Sequence, residues 1–167
     1  APARPGAVAE VPVHNVRLLQ LMNEERAAAG LPPLLSRPQI AEWAVRQSTA
    51  MAGRRDIWHS TAYFAASTRK ALGASALGEN VAVNGSLEDA HRRLMESPGH
   101  RANILNARFD AAGIGVVHDE DGTLYVTQSF VDSVGGKATL SKAKAKAKGK
   151  GKGKKATTAK ARKTTKR

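Results

Sequence analysis

The chain has 167 residues, with 27 Lys and Arg against 14 Asp and Glu, a formal net charge of +13. Fourteen of those cations and none of the acids fall in residues 137–167, so residues 1–136 carry 13 basic against 14 acidic groups. A near-neutral domain joined to a separate polycation is therefore expected, and the lack of cysteine excludes disulfide frameworks and thiolate metal sites alike.

The start, Ala1-Pro2-Ala3 without a Met, suits a mature protein after signal-peptide removal. Residues 1–13 read as an extended lead-in. From Val16 to Ala29, Leu18, Leu19, Met22 and the run Ala27–Ala29 predict an amphipathic helix that Gly30 ends and Pro32-Pro33 blocks. Ser36 is expected to cap a second helix with Pro38 near its start. Ile40, Trp43, Ala44 and Ala50-Met51 would form its buried stripe, and Gly53 would stop it. Residues 54–78 are irregular, with a short helix near Ser67–Leu72, and a loop of this length is usually functional.

Asn80–Val83 is a short apolar strand. Ser86-Leu87-Glu88-Asp89 resembles a capping box and opens a helix to about Glu96. Ser97 can cap a further short helix whose first position suits Pro98, which puts His100 in its first turn. Ala112–Val117 and Thr123–Val131 alternate like two strands around the turn Asp119-Glu120-Asp121-Gly122. Helices followed by antiparallel strands give an α+β class. No apolar run approaches the roughly 18–20 residues of a bilayer-spanning helix.

The tail alternates Lys-Ala over 142–148 and Lys-Gly over 148–154, with Leu140 as its one large apolar residue. Such a composition cannot offset its ordering entropy and predicts disorder in isolation. Lys142, Lys144, Lys146, Lys148, Lys150, Lys152, Lys154 and Lys155 are the candidate polyanion contacts. Without aromatic residues to stack on bases, the tail predicts charge-driven rather than sequence-specific binding.

Five histidines bound the chemistry. His14 and His118, near a terminus and a hairpin, carry no expected catalytic role, and His91 beside Arg92 and Arg93 reads as solvated helix surface. His59, in Trp58-His59-Ser60, and His100 remain. Glu79, between a Gly turn and an apolar strand, needs a charged or hydrogen-bonded partner if buried. Glu96 lies four residues before His100, but Pro98 interrupts the helix between them. Two imidazoles with one or two carboxylates suit Zn²⁺ or a similar divalent ion. Without a metal, Glu79 and His100 are the groups to move protons. No Gly-x-Ser-x-Gly elbow is present, so Ser60 and Ser97 read as turn and cap residues.

Several motifs together carry a resemblance. Asn23-Glu24-Glu25-Arg26, Gly30-Leu31-Pro32-Pro33-Leu34, Trp58-His59-Ser60, Gly78-Glu79-Asn80 and Ser97–Leu105 occur in the order seen in the CAP superfamily. This chain is similar to the cysteine-free bacterial form of that group, which includes cysteine-rich secretory, antigen 5 and pathogenesis-related 1 proteins. The likeness runs from about His14 to Asp132. It implies a three-layer α-β-α sandwich with a central antiparallel sheet, an extracellular location, and a cleft where two histidines and two glutamates hold divalent metal. His59, Glu79 and His100 match that tetrad. Its fourth member follows a Trp-Tyr-like pair by two residues in better-known relatives. Here Leu94-Met95 stands in that place, which puts Ser97 in the slot and Glu96 one position early; a substitute role for Glu96 and a three-residue site both stay open.

The resulting organisation is a lead-in at 1–13, a CAP domain at 14–136 and a polycationic tail at 137–167. Asn80, Ser97 and Asn103 are expected to support the cleft. The function expected is a secreted, monomeric, metal-capable binding protein, free in the medium or held at the cell wall. Its tail would meet anionic cell-wall polymers, nucleic acid or an acidic lipid surface. The alternatives are a metal-dependent hydrolase (nuclease, peptidase or wall-glycan hydrolase) and an intracellular nucleoid-associated protein.

Overall fold

The computed structural model describes residues 9, 10 and 12–133; the tail at 137–167 and its lysines lie outside them. The elements run β1 (Ala9–Glu10), α1 (Pro12–Ala28), β2 (Leu35–Ser36), α2 (Pro38–Arg54), α3 (Ala66–Leu72), β3 (Ala74–Asn84), α4 (Leu87–Glu96), α5 (Pro98–Ile104), β4 (Ala111–His118) and β5 (Leu124–Ser133). Every residue of β5, and all of β4 but its last, is buried, which demands cover on both faces of the sheet.

Alternation along those strands divides the core in two. Ala112, Ile114, Val116, Val126 and Phe130 pack with Leu18 and Met22 of α1, Ala90 and Leu94 of α4, and Ile104 of α5. Their neighbours Ala111, Val117, Tyr125 and Val131 turn the other way, toward Ile40 and Met51 of α2 and toward Tyr63 and Leu72. The result is a three-layer α-β-α sandwich of the α+β class. A Cβ on Gly113 or Gly115 would overlap the α2 backbone at Ile40 or Ala44, so the two glycines let that helix lie directly on β4.

Among the described residues the sheet order is β1-β4-β5-β3, antiparallel along that path, with β2 added parallel to β4. β3 is thus an edge strand, and Glu79 and Asn80 sit on it opposite Ser129 and Gln128 of β5. Arg26 links α1 to the end of α5 and the residues after it. It is fully buried, and its guanidinium donates to the carbonyls of Pro32, Ile104, Asn106 and Phe109 at 2.9–3.1 Å. Those bonds pin the C-terminal end of α5 to α1.

Several boundaries differ from the sequence expectation. The lead-in contributes β1, and α1 begins at Pro12 rather than Val16. Ser36 belongs to β2 and caps nothing; α2 starts after Arg37 on Pro38, without a side-chain cap. Gly53 does not stop α2, which runs to Arg54 and ends where Arg55 turns left-handed at φ 54°. Ser97 precedes α5 but makes no capping bond. Ser86 does cap α4, accepting from the Asp89 N–H at 3.2 Å.

Candidate functional site

Glu79 is the centre of the arrangement. Its side chain is only 1% exposed, whereas that of His59 is 56% exposed. His59 Nδ1 lies 3.0 Å from Glu79 Oε1, and the Ser60 N–H donates to the same oxygen at 2.8 Å. The loop bearing these residues is anchored beside them: the Gln47 amide donates to the Trp58 carbonyl, and the Tyr63 N–H donates to Ser60 Oγ at 3.2 Å. Burial pushes the Glu79 carboxyl above its ordinary range, a tendency opposed by the bonds from Ser60 and His59.

His100 arrives on the other flank of β3, in the first turn of α5. Asn80 is fully buried, and its amide donates to the His100 carbonyl at 3.0 Å and to Gln128 Oε1 at 2.9 Å. Asn103 in turn donates to Asn80 Oδ1 at 2.8 Å and to the Glu79 carbonyl at 3.3 Å. These amides tie α5 to the two residues of the strand that carry the site. Partial burial, and after it the nearby positive charge of a protonated His59, lowers the His100 pKa below the ordinary value. His59, Glu79 and His100 therefore share one neighbourhood at the edge of the sheet.

Glu96 does not join them. It stands exposed on α4 and pairs with Arg92 one turn earlier, at 2.9 Å. Ser97 makes the turn into α5 and contributes no side-chain bond to that helix. Among the described residues, no three His, Asp or Glu side chains already converge as a ligand set.

One histidine behaves differently from the sequence reading. His91 is buried, 7% exposed, against α1, with Nε2 3.7 Å from Glu25 Oε1. Burial lowers its pKa, with Glu25 opposing. His14 and His118 line a groove of about 800 Å³ together with Val13, Val16, Arg17 and Glu88. A helical stripe at 87, 90, 91, 94 and 95 would have revealed the burial of His91; nothing in the sequence marks the groove.

A sandwich of this topology, with a His–Glu pair at the edge strand and a second histidine on the following short helix, defines a CAP-type domain. The profile of the Cysteine-rich secretory protein family matches residues 19–130, and the chain belongs to that family. It is 31% identical over 130 residues to the uncharacterized protein YkwD of Bacillus subtilis, covering 75% of this chain and 49% of that protein. The chain thus spans about half the length of this curated relative. An extracellular protein containing an SCP domain from Bacillus anthracis is 26% identical, with a TM-score of 0.63 over 73% of this chain and 41% of that one. An outer surface protein of Borrelia burgdorferi shares the fold at 17% identity, with a TM-score of 0.68 over 77% of this chain and 98% of that one.

Proposed function

We propose that this chain is an extracellular, monomeric binding protein whose His/Glu site takes a divalent metal, zinc by preference, and whose basic tail holds it to anionic polymers. The observation that carries the metal reading is the buried Glu79 bonded to His59 at 3.0 Å, with the His100 backbone tied to the adjacent Asn80 at 3.0 Å. The donor chemistry fits. Two imidazoles near a carboxylate suit Zn²⁺, and burial lowers the His100 pKa, the direction that favours the neutral ring a metal needs. His59 and His100 would hold the ion, which when bound would supply a Lewis-acid centre with positions open to a ligand. The likeness to the extracellular protein of Bacillus anthracis supports the location.

Calorimetric titration of the full chain with Zn²⁺ tests the metal reading. One site is expected, lost in His100→Ala. Heats of dilution alone in the wild type would overturn it. Incubation with plasmid, casein and peptidoglycan separates a binding protein from a hydrolase. Silence on all three supports binding, whereas turnover that chelator abolishes would replace it with the enzyme.

A further inference from the structure

We propose that Asn84 is a modification site, where the chain deamidates itself through a succinimide formed with Gly85. The sequence has six asparagines, and Asn84 alone precedes a glycine. Asn84 ends β3 opposite Leu124, so Gly85 is the first residue past the strand pairing. The Gly85 N–H donates to Asn84 Oδ1 at 2.8 Å, which folds the side-chain amide over the peptide bond that follows it, in a contact exposed to solvent. A nitrogen held against Oδ1 lies close to Cγ, the carbon it must attack. Placing reacting atoms together in this way speeds an intramolecular step, and glycine brings no Cβ to crowd the approach. The other five asparagines precede Val, Glu, Val, Ile and Ala, and their side chains are bonded elsewhere. Asn23 brackets Leu34, Asn80 and Asn103 bond to each other, and Asn15 and Asn106 accept from the Val116 and Arg108 N–H groups.

Water is the sole co-reactant. The Gly85 nitrogen gives its proton to a solvent base and attacks Asn84 Cγ; the new N–Cγ bond closes the ring, and the Cγ–Nδ2 bond breaks to release ammonia. Water then opens the ring. Addition at Cγ restores the normal backbone as aspartate, whereas addition at the main-chain carbonyl leaves the chain running through Cγ as isoaspartate. Either product carries an added negative charge. Ser86, two residues on, caps α4 by accepting from the Asp89 N–H at 3.2 Å. The extra methylene of the isoaspartyl backbone displaces that cap. The aspartyl product only adds a charge ahead of a helix N-terminus, where an anion is welcome.

Full-length wild type, Gly85→Ala and Asn84→Asp, kept folded in mildly alkaline buffer made with oxygen-labelled water, test this; wild type unfolded in urea serves as the clock. Alanine fits at position 85, because a Cβ there meets nothing within 4 Å and the backbone is not left-handed. By the time the unfolded chain has converted, peptide mass spectrometry should find labelled aspartate and isoaspartate at position 84 of the folded wild type. The other five asparagines should stay intact in the folded chain, and conversion should be lost in Gly85→Ala. The isoaspartyl fraction should unfold at lower urea than Asn84→Asp. Asn84 intact in the folded wild type, equal conversion of folded Gly85→Ala, or all six asparagines converting alike would overturn the site. An isoaspartyl fraction as stable as Asn84→Asp would overturn the displacement of Ser86.

Discussion

Buried side-chain amides hold backbone in place only while every partner is present, and Asn80 has three of them. Its loss would leave the His100 carbonyl, Gln128 Oε1 and the Asn103 amide short of a bond in the interior. Unsatisfied buried polar groups cost about 1–3 kcal/mol each to create. Asn80→Ala should therefore lower the unfolding free energy in urea by at least about 2 kcal/mol and shift the His100 imidazole resonances. An unchanged His100 spectrum would show that the amide does not position it. His91 yields a second prediction at this scale. Its native pKa is depressed by burial, while the unfolded chain keeps a value of about 6.5. Above that pH both states are neutral there. Below it the unfolded chain binds the proton first, so His91 removes stability as pH falls through the window down to its native pKa. Glu79 acts in the opposite sense, because its raised native pKa makes folding favour the protonated acid as pH falls toward its unfolded value. His91→Gln should consequently show a smaller drop in Tm between about pH 7 and pH 5 than wild type. Identical slopes would remove His91 from the acid response.

Elements read well from sequence where local chemistry fixed them and poorly where a distant neighbour did. The Ser86 cap and α4 follow from a spacing of three residues, and the alternation of β4 and β5 is visible in the chain itself. β1 and β2 have two residues each and exist only because β4 offers them an edge. The first half of β3, Ala74–Gly78, has little strand propensity and is held by its register against β5. At the site, His59, Glu79 and His100 were legible as a family pattern, but the outward turn of Glu96 depends on Arg92 one helical turn away. His91 misled because Arg92 and Arg93 flank it, although Leu87, Ala90, Leu94 and Met95 place it on the buried stripe. The contact of α2 with β4 is an element-scale feature that can be broken at one atom. Gly115→Ala would push a methyl group into the backbone of α2 at Ala44, and overpacking of this kind costs typically about 1–3 kcal/mol. The midpoint of urea unfolding should fall accordingly, with the m-value unchanged. A neutral effect would mean that α2 can slide on the sheet.

At the scale of the whole chain, the uneven division of charge matters more than its total. Residues 1–136 are nearly balanced, whereas residues 137–167 carry fourteen cations and no acid. A polyanion that meets the protein should therefore be bound through the tail, with the folded part almost neutral toward it. Counterion release makes this measurable. If about eight lysines engage duplex DNA, log K should fall with log salt at a slope near −7. Replacing Lys142, Lys144, Lys146, Lys148, Lys150, Lys152, Lys154 and Lys155 by Gln keeps the chain length and removes most of that slope. Zinc affinity should stay unchanged in the same variant, because the lysines lie outside the His/Glu pair in sequence and carry no metal-ligating donor. Duplexes of different sequence should bind alike, since the tail has no aromatic residue to stack on a base. A salt slope that survives the eight substitutions would move the polyanion contact onto the folded domain. The near-neutral charge of that domain argues against such an outcome, because weak net charge gives few counterions to release.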